Sequence, residues 1–370
     1  MAVVSTGPTL AIAHEWLVRY AGSERVVEQM RAEFPQARLH TTLLRPDALP
    51  PDLRVAETGL LQRVTRARLP HEPLVPAMPL DWRLRREIDD VDVVVSSSHA
   101  CAKAVRAIPG IPHLCYCHTP MRYAWDFASE AGRFPRVSRP LVRSAMSAFR
   151  RWDRSTAQRV TAFLANSSAV AARIRNAYGR DATVLAPPVD TEFFTPGDAG
   201  APRNEFLYVG RLVPYKRADL AVDAFAGLPH RLLVVGEGPL RAALEARAGE
   251  NVEFVGAVDD DALREHYRRA RALVFPANED FGIVMAEAQA CGTPVISFAE
   301  GGALDIVEDG TTGWLIRRQS VDDLRAAVGR AAAEQLDEAT IRAGAERFSR
   351  ARFREGFRAA VEALTAQRPR

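Results

Sequence analysis

The 370-residue sequence lacks any long hydrophobic run. No stretch of eighteen residues is apolar throughout, so the sequence predicts no transmembrane helix. Segment 1–16 has no basic region followed by a long apolar stretch, so we expect no secretory signal there. These two absences favour a cytoplasmic protein, which could still be peripheral on the inner face of the plasma membrane.

Cysteine is also scarce, and its spacing argues against a metal site. Cys115 and Cys117 are spaced C-x-C, with no second Cys or His pair at zinc-finger spacing. We therefore expect reduced, buried thiols of the kind usual in cytosolic proteins. The same expectation covers all the cysteines, which lie in or beside apolar segments: Cys101, Cys115, Cys117 and Cys291.

Acidic residues are few in the first half of the chain. Residues 1–185 contain 26 Lys and Arg against 17 Asp and Glu, whereas residues 186–370 contain 23 against 29. The basic first half predicts an anionic partner, such as phosphate groups, nucleic acid or a lipid surface. Because no aromatic–basic platform or known reader motif is present, we expect no nucleic-acid partner.

Segment 133–159 concentrates eight arginines with one acidic residue. After Pro140, four apolar residues share one helical face: Leu141, Ala145, Phe149 and Trp152. The arginines of this helix lie elsewhere on its surface: Arg143, Arg150, Arg151 and Arg154. Such an amphipathic helix can lie on anionic lipid, and the basic stretch 60–68 could join it. The alternative is that the apolar stripe packs into the domain.

Short apolar runs alternate with segments of helical periodicity. The predicted strands are 10–13, 91–96, 113–117, 162–165, 183–186, 206–209, 232–235, 252–254, 272–275 and 294–297. Strands of this kind, alternating with helices, are typical of parallel sheets covered on both faces. With a proline- and glycine-containing linker at 187–203, they predict two Rossmann-like α/β domains.

We place these domains at 1–190 and 191–350, with a helix at 351–370 packing back on the first. Open α/β sheets bind ligands at the carboxyl ends of their strands. Two facing sheets would therefore create a central cleft for the ligand.

The sharpest motif is FLYVGRLVPYKRADL, residues 206–220. Gly210 lets the chain turn sharply at the end of a strand and lets a ligand approach closely. Arg211 and Lys216 can then converge with a helix N-terminus on a diphosphate. The only other lysine is Lys103, so a lysine here indicates that a compact point charge is needed. The alternative is a solvated basic loop.

The stretch 276–307 carries a second motif. Glu279 and Glu287 lie eight residues apart and flank a helix start that contains FGIV, residues 281–284. Carboxylates accept hydrogen bonds from vicinal hydroxyls of a sugar, and the free N–H groups of a first helical turn can bind phosphate or sugar hydroxyls. Gly301 and Gly302 supply another tight turn. Either glutamate alone would be interpreted as a surface residue.

Three further features are weaker. The turn VVGEGPL around Gly236 is of a kind frequent in α/β folds. The acidic triple Asp259–Asp261 resembles a D-x-D metal motif, but it precedes a helix and is better explained as a cap. His118 follows a buried strand, where a hydrogen-bonded core histidine is the alternative to a site residue. Its position at the carboxyl end of that strand favours a site.

Together these motifs resemble the retaining glycosyltransferases of family 4, which have the GT-B fold. The resemblance covers nearly the whole second half, through the segment from Gly210 to Lys216, the Glu279/Glu287 pair and AEGGALDIVEDGTTGWLI. In the first half, AHEWLVRYAGSERVVE, SSSHACAKAV and YCHTPMRYAWD resemble the bacterial branch that includes O-antigen mannosyltransferases using GDP-mannose.

The resemblance implies a metal-independent enzyme that needs no cofactor and transfers a hexose, mannose from GDP-mannose, to a lipid-linked or saccharide acceptor. It implies a role in cell-envelope polysaccharide or glycolipid biosynthesis. Arg211 and Lys216 would neutralise the donor diphosphate, Glu279 would hold the hexose, and His118 would lie over it. Glu287 would hold the ribose. The other implied donor contacts are Gly22, Ser23, Gly210, Gly236, Val258, Phe281, Gly282, Ile283 and Val284.

The chain departs from its relatives at one place, with Gly22-Ser23 and His14-Glu15 where Gly-Gly and His-Asp are frequent. We expect a small effect on donor binding, because Ser23 can still cap a helix. The alternatives are a GT-B epimerase, a phosphorylase and a non-catalytic nucleotide-sugar or lipid-binding module. A dinucleotide oxidoreductase is disfavoured, because no G-x-G-x-x-G follows the first strand.

Overall fold

The computed structural model describes residues 7–51, 53–69, 71–125, 139–198, 200 and 202–366, which form two compact units. The N-terminal unit comprises the chain up to Pro187 and the stretch from Phe353 onward, and the C-terminal unit spans Pro188–Arg352. Each unit is built around one parallel sheet. The predicted fold class, two Rossmann-like α/β domains, is confirmed.

The strands of the N-terminal unit are β1 (Leu10–Leu17), β2 (Arg38–Leu44), β3 (Glu57–Thr58), β4 (Val93–Ser98), β5 (His113–Cys117), β6 (Ala162–Ala165) and β7 (Thr183–Val184). Their order is β3-β2-β1-β4-β5-β6-β7, and the pairings are parallel. The helices between them are α1 (Gly22–Glu33), α2 (Leu60–Thr65), α3 (Met78–Arg83), α4 (Arg122–Trp125), α5 (Arg139–Ala157) and α6 (Ser168–Tyr178).

The strands of the C-terminal unit are β8 (Glu205–Val209), β9 (Arg231–Val235), β10 (Val252–Gly256), β11 (Ala270–Phe275), β12 (Val295–Phe298) and β13 (Gly313–Ile316). Their order is β10-β9-β8-β11-β12-β13, again parallel. The helices are α7 (Ala218–Phe225), α8 (Arg241–Glu245), α9 (Asp260–Arg269), α10 (Ile283–Ala290), α11 (Ala303–Ile306), α12 (Val321–Ala333), α13 (Glu338–Ala345) and α14 (Arg350–Ala366).

Helix α14 begins in the C-terminal unit and continues into the core of the N-terminal unit. Its residues Phe353, Phe357 and Val361 are buried in one hydrophobic cluster with Leu10 of β1 and Val93 of β4. The spacing of these three side chains, four residues each time, places them on one helical face. Burial of that face ties the last helix to the first sheet.

Strands β2, β3 and β13 are absent from the prediction, and several others are longer than predicted. Strand β2 carries the buried polar side chains of Thr41 and Thr42, which break the apolar pattern expected of a parallel strand. Strand β1 continues to Leu17 through His14 and Glu15, which are both fully buried. Polar residues inside β2 and in the second half of β1 therefore concealed these segments from a prediction based on hydrophobicity.

No helix within the described ranges is long and apolar enough to cross a bilayer. Residues 133–138 of the basic segment lie outside the described residues, and α5 begins at Arg139. Phe149 and Trp152 of the predicted lipid-facing stripe are half-buried against a core cluster of the N-terminal unit. At these two positions the alternative, packing of the stripe into the domain, describes the helix.

Glycines set the closest backbone contact in the C-terminal unit. Gly236 has a φ of +135°, and a Cβ added there would lie 2.0 Å from the carbonyl oxygen of Gly210. We expect Gly236→Ala to lower the free energy of unfolding by about 1–3 kcal/mol, because neither backbone can give way. Urea denaturation measures the change.

The matched control is Gly329→Ala, inside helix α12, where an added Cβ would meet nothing within 4 Å. Alanine should stabilise that helix by about 0.5–1 kcal/mol, because it loses less conformational entropy on folding than glycine. Equal effects of the two substitutions would contradict a close contact at Gly236.

Candidate functional site

The carboxyl ends of β8, β11 and β12 bring two predicted site residues of the C-terminal unit together. The Lys216 Nζ lies 2.7 Å from Oε1 of Glu279, and both side chains are mostly buried, at 18% and 15% exposed. These residues are 63 positions apart in the sequence and meet because their strands are neighbours in the sheet. An ammonium and a carboxylate therefore meet at the edge where parallel sheets bind ligands.

Lys216 is held by contacts to its backbone and to its side chain. It ends a 3₁₀ turn, Pro214–Lys216, and its carbonyl oxygen accepts a hydrogen bond from the Tyr208 hydroxyl at 3.1 Å. Burial, and then the charge of Glu279, raise the pKa of Tyr208, so this hydroxyl keeps its proton and remains a donor. The Nζ lies 5.3 Å from the centre of the Phe275 ring. These contacts direct the ammonium towards Glu279.

Glu279 is positioned by the glycine pair that the sequence singled out. The Gly302 N–H donates to the Glu279 carbonyl oxygen at 2.9 Å. A Cβ added at Gly301 would lie 2.2 Å from that same oxygen, and one at Gly302 would lie 2.2 Å from the carbonyl oxygen of Phe281. Only glycine permits this approach of two loops. The pair therefore acts by supporting the segment that contains Glu279.

Helix α10 starts beside this ion pair. Gly282 precedes it with a φ of +91°, and no side chain caps this end. The half-exposed residues Ile283 and Val284 form the first turn, whose N–H groups have no partner within the helix and can donate to an anion. Phe281 instead turns its side chain into the core, 5.3 Å from the Phe348 ring. Phe281 can therefore offer a ligand its backbone but not its ring.

The remaining predicted donor residues differ in their surroundings. Arg211 is exposed and forms no ion pair with any described residue. Gly210 and Gly236 pack backbone against backbone, which explains the glycine-rich turn at 234–240. Glu287 is buried, and its Oε2 accepts from the Tyr267 hydroxyl at 3.1 Å. Val258 is half-exposed after β10.

The acidic triple caps a helix, as predicted. The Asp259 carboxylate accepts from the Ala262 N–H at 2.8 Å and forms the N-cap of α9. Asp261 forms an ion pair with Arg264 one turn later. In the described part of the chain, no cluster of three or more His, Cys, Asp or Glu side chains could hold a metal ion.

In the N-terminal unit, the most densely bonded group is Glu15, which the sequence analysis noted only as a departure from relatives. Its fully buried carboxylate accepts hydrogen bonds of 2.8–3.1 Å from the Ser98 hydroxyl and from the N–H groups of His99, Ala100, Cys101 and Ala102. Burial alone would raise the pKa of Glu15. The charge of His99 and these hydrogen bonds outweigh burial and lower it, so an ionised glutamate fixes the loop after β4.

A second buried carboxylate, Glu24, lies at the start of α1. Its Oε2 accepts from the Ala21 N–H at 3.1 Å and from the Ser23 hydroxyl at 3.0 Å. Ser23 therefore does not cap the helix, contrary to our expectation, because the cap position falls on Ala21 and Glu24 closes the turn. Gly22 is exposed in the same turn, with open space around it.

His118 is half-buried at the carboxyl end of β5, beside the ends of β1 and β4. Its Nε2 lies 2.8 Å from the Ser97 hydroxyl oxygen, which in turn lies 3.1 Å from Nδ1 of His14. Burial, and then the charges of His99 and His14, hold the pKa of His118 well below its usual value. At neutral pH its imidazole is therefore neutral, and it can donate at one nitrogen and accept at the other.

The buried ion pair of Lys103 and Asp153 escaped the sequence analysis. Lys103 is 2% exposed and Asp153 is fully buried, and the two form an ion pair. Asp153 also accepts from the Trp125 indole N–H at 2.7 Å and from the Tyr178 hydroxyl at 2.8 Å. This network fastens α5 to the loop that Glu15 organises, so Lys103 has a structural role.

The ionised carboxylate of Glu24 should make the free energy of unfolding depend on pH in the acid range. Burial alone would raise its pKa, but the hydrogen bond and charge of His14 dominate and lower it to about 2. Stability from this group is present above the ordinary glutamate pKa and is lost as pH falls towards 2. We expect about 3 kcal/mol to disappear between pH ~4.5 and ~2 in urea titrations of the wild type.

The variant Glu24→Gln should show a smaller loss in this acid window, whereas Glu28→Gln on the same helix should retain the wild-type profile. A Glu24→Gln profile that matches the wild type would show that other carboxylates cause the acid dependence.

Comparisons with known proteins agree with this architecture. Residues 20–193 match the family model described as Glycosyltransferase Family 4, and residues 190–347 match that of Glycosyl transferases group 1. The chain therefore carries glycosyltransferase domains of these two descriptions, and its fold is GT-B. Among solved structures of this fold, an Anabaena HepE in complex with UDP-glucose aligns with a TM-score of 0.71 at 18% identity, over 96% of this chain and 100% of that one.

A sucrose-phosphate synthase from Thermosynechococcus elongatus aligns with a TM-score of 0.66 at 21% identity, over 98% of this chain and 97% of that one. Curated relatives include the D-inositol 3-phosphate glycosyltransferase of Geodermatophilus obscurus, which is 37% identical in an alignment 204 residues long that covers 46% of this chain and 45% of the relative. The enzyme of the same name from Mycobacteroides abscessus is 36% identical in an alignment 178 residues long that covers 42% of this chain and 40% of that enzyme. The chain thus spans less than half of these relatives, and neither name specifies the O-antigen mannosyltransferase branch.

Proposed function

We propose that this protein is a metal-independent, retaining glycosyltransferase that binds a nucleotide-sugar donor at the carboxyl edge of its C-terminal sheet. The observation that carries the proposal is the Lys216–Glu279 pair beside the uncapped start of α10. A diphosphate needs a cation and N–H donors, and a hexose needs a hydroxyl acceptor. Lys216, the first turn of α10 and Glu279 supply these groups within one short stretch of the sheet edge.

Charge at the leaving diphosphate is the main problem in such a transfer. Lys216 and the exposed guanidinium of Arg211 can stabilise it as it departs, which is the kind of preorganised electrostatic help that dominates many enzymatic rates. We infer front-face substitution: the bond from the anomeric carbon to the diphosphate oxygen breaks, and the acceptor oxygen bonds to that carbon from the same side. The departing diphosphate takes the acceptor proton. His118 is the proposed contact to the hexose.

The test of this site is Lys216→Ala. Loss of the ammonium should lower kcat by about 100- to 1000-fold, a cost typical of removing one group that stabilises transition-state charge. Nucleotide release in the presence of donor and acceptor measures the effect, with and without EDTA.

Arg231→Ala is the matched control, because Arg231 pairs with Glu205 and Glu253 at the opposite, amino edge of the same sheet. Normal turnover in Lys216→Ala, or wild-type activity that EDTA abolishes, would contradict the proposed chemistry. A non-catalytic binding module would show no turnover in any variant.

GDP-mannose is the donor we propose, on the strength of the first-half motifs that resemble mannosyltransferases. UDP-glucose is the natural competitor, because the structurally similar HepE was crystallised with it. A thermal-shift panel of nucleotide sugars separates the two. Stabilisation by another donor and none by GDP-mannose would refute the mannosyl assignment while leaving the transferase intact.

For the acceptor we propose a lipid-linked saccharide, reached by docking of the protein on an anionic membrane. Support comes from α2 and α3 rather than from α5. Five large apolar side chains in this region are 49–73% exposed and form what we name the α2–α3 apolar surface: Leu60, Val64, Leu69, Leu80 and Leu84. The relatives' name makes inositol 3-phosphate the soluble acceptor to test beside it.

The two helices of this surface are fixed to each other. The Leu61 N–H of α2 donates to the Asp81 carboxylate of α3 at 2.9 Å, while Asp81 and Trp82 are buried. The exposed positions 60 and 64, and likewise 80 and 84, are four residues apart and lie on one helical face each. The apolar residues therefore project outward from a rigid base.

Exposed arginines occur in the same segments as the α2–α3 apolar surface. Those at positions 63, 66, 68 and 83 are exposed and have no ion-pair partner among the side chains that the structure describes. Exposed apolar residues accompanied by exposed cations match the interface of an anionic bilayer. A symmetric pairing of two copies through this surface would bring the arginines of both against each other, which is unfavourable.

We expect Val64→Ser with Leu84→Ser to weaken sedimentation with phosphatidylglycerol-containing vesicles by roughly tenfold or more, because two apolar side chains lose their burial. Leu304→Ser, at a leucine 57% exposed in the C-terminal unit, is the matched control. Arg143→Ser with Arg151→Ser tests α5. If only that pair reduces binding, α5 is the docking element; if no variant does, docking through either surface is wrong.

A further inference from the structure

We infer that Glu24, His14 and Ser97 form a one-way chain of polar contacts that fixes His118 as its Nε2–H tautomer, so that its Nδ1 presents a lone pair to a substrate hydroxyl. The first three are positioning residues, since they act on the substrate only through His118. The tautomer follows from contacts within the N-terminal unit. The identity of the hydroxyl, on a sugar, rests on the proposed function.

The chain starts at the carboxylate of Glu24. Its Oε2 already accepts from the Ala21 N–H and the Ser23 hydroxyl. Its Oε1 faces Nε2 of His14 at 3.6 Å, and both side chains are buried, at 2% and 0% exposed. A fixed negative charge therefore lies next to one nitrogen of a buried imidazole.

That charge decides the tautomer of His14. An N–H at Nε2 points a positive dipole at the carboxylate, whereas a bare Nε2 points its lone pair at a negative charge. Electrostatic energies are large in a buried site, so the first arrangement is favoured. A His14 ring with a single proton then carries it on Nε2 and has an acceptor at Nδ1. A doubly protonated ring would donate at Nδ1 and reverse the chain, which is the outcome that the NMR test below would detect as a proton on Nδ1 of His118.

Ser97 links His14 to His118 and sets the direction of the hydrogen bond between Ser97 and His118. It is fully buried, and its hydroxyl oxygen lies 3.1 Å from Nδ1 of His14 and 2.8 Å from Nε2 of His118. A hydroxyl has a single proton. Because Nδ1 of His14 can only accept, that proton goes to His14, and the serine oxygen must accept from His118. His118 therefore carries its proton on Nε2.

The other nitrogen of His118 is the one left for a ligand. Its Nδ1 bonds to no described residue and is not among the buried unpaired atoms. It lies on a residue at the carboxyl end of β5, next to the backbone hydrogen bond from the His118 N–H to the Ser98 carbonyl oxygen at 2.9 Å. A bare Nδ1 there accepts a hydrogen bond from a hydroxyl but cannot donate to one.

The direct test is nitrogen NMR on protein labelled with ¹⁵N-histidine, in which protonated and bare ring nitrogens have well-separated shifts. We expect His118 to show a protonated Nε2 and a bare Nδ1 at neutral pH. In Glu24→Gln, the amide oxygen is drawn to the Ala21 N–H, so its NH₂ faces His14. The whole chain should then reverse, leaving His118 protonated on Nδ1.

Ser96→Ala is the matched control. Ser96 is the neighbour of Ser97 on β4, is equally buried, and hydrogen-bonds Nε2 of another histidine, His113, at 2.8 Å. Its loss should leave the His118 shifts unchanged. Ser97→Ala keeps Glu24 and the helix start intact, and should turn His118 into a mixture of tautomers. The Ser97→Ala variant tests the chain if Glu24→Gln fails to fold.

Activity gives a second, separate reading. Outer partners that orient a histidine are typically worth about 10- to 100-fold, so Ser97→Ala should lower kcat by that factor with a smaller change in KM. A wild-type His118 protonated on Nδ1, or shifts unaffected by both Ser97→Ala and Glu24→Gln, would overturn the chain even in an active enzyme. The tautomer result stands if the protein proves to transfer no sugar.

Discussion

Parallel strands buried on both faces leave a sheet few places to expose a polar side chain, and this constraint governs both units of the protein. In the interior of such strands every residue meets helices, so the chemistry concentrates where strands end. Lys216 and Glu279 follow β8 and β11, which are neighbours, and Ser97 and His118 belong to the ends of β4 and β5. The order of strands in each sheet therefore decides which side chains meet.

Buried carboxylates organise the N-terminal unit. Glu15 collects four consecutive backbone N–H groups and thereby shapes the loop from His99 to Ala102. Glu24 closes the first turn of α1 and faces His14. Each carboxylate accepts several hydrogen bonds, which is how a buried ion avoids the full cost of losing water. The departure of this chain at His14-Glu15 thus falls on residues that hold the sheet edge together.

Hydrophobic pattern was sufficient to predict much of the fold and of the donor-side motifs. The two-domain α/β class followed from alternating apolar runs, and the strands His113–Cys117 and Ala162–Ala165 have the predicted bounds. Lys216 and Glu279 could each be singled out because their glycines and helix starts form local motifs, whereas their contact with each other was not predicted. The Asp259 cap could be anticipated for the same reason.

The remainder depends on pairs that no local pattern reveals. Strand β2 and the second half of β1 carry buried polar groups whose partners lie far away in sequence, such as the 83 residues between His14 and Ser97. Lys103 and Asp153 are 50 residues apart, and nothing in the sequence links them. The apolar stripe of α5 was ambiguous because the same periodicity serves a lipid-facing helix and a core-facing one.

The ion pair between Lys216 and Glu279 has a consequence for which ligands the proposed donor site would select. The ammonium and the carboxylate form an ion pair with each other. A ligand that separates them must therefore supply a new partner for each of the two charged groups. Inorganic phosphate could pair with the lysine but would leave the glutamate without a partner. A free sugar could hydrogen-bond the glutamate but would leave the lysine without a counter-charge. A molecule that carries both a diphosphate and sugar hydroxyl groups would provide a partner for the lysine and for the glutamate at the same time. In the proposed donor site, either half of a nucleotide sugar alone is therefore expected to bind weakly.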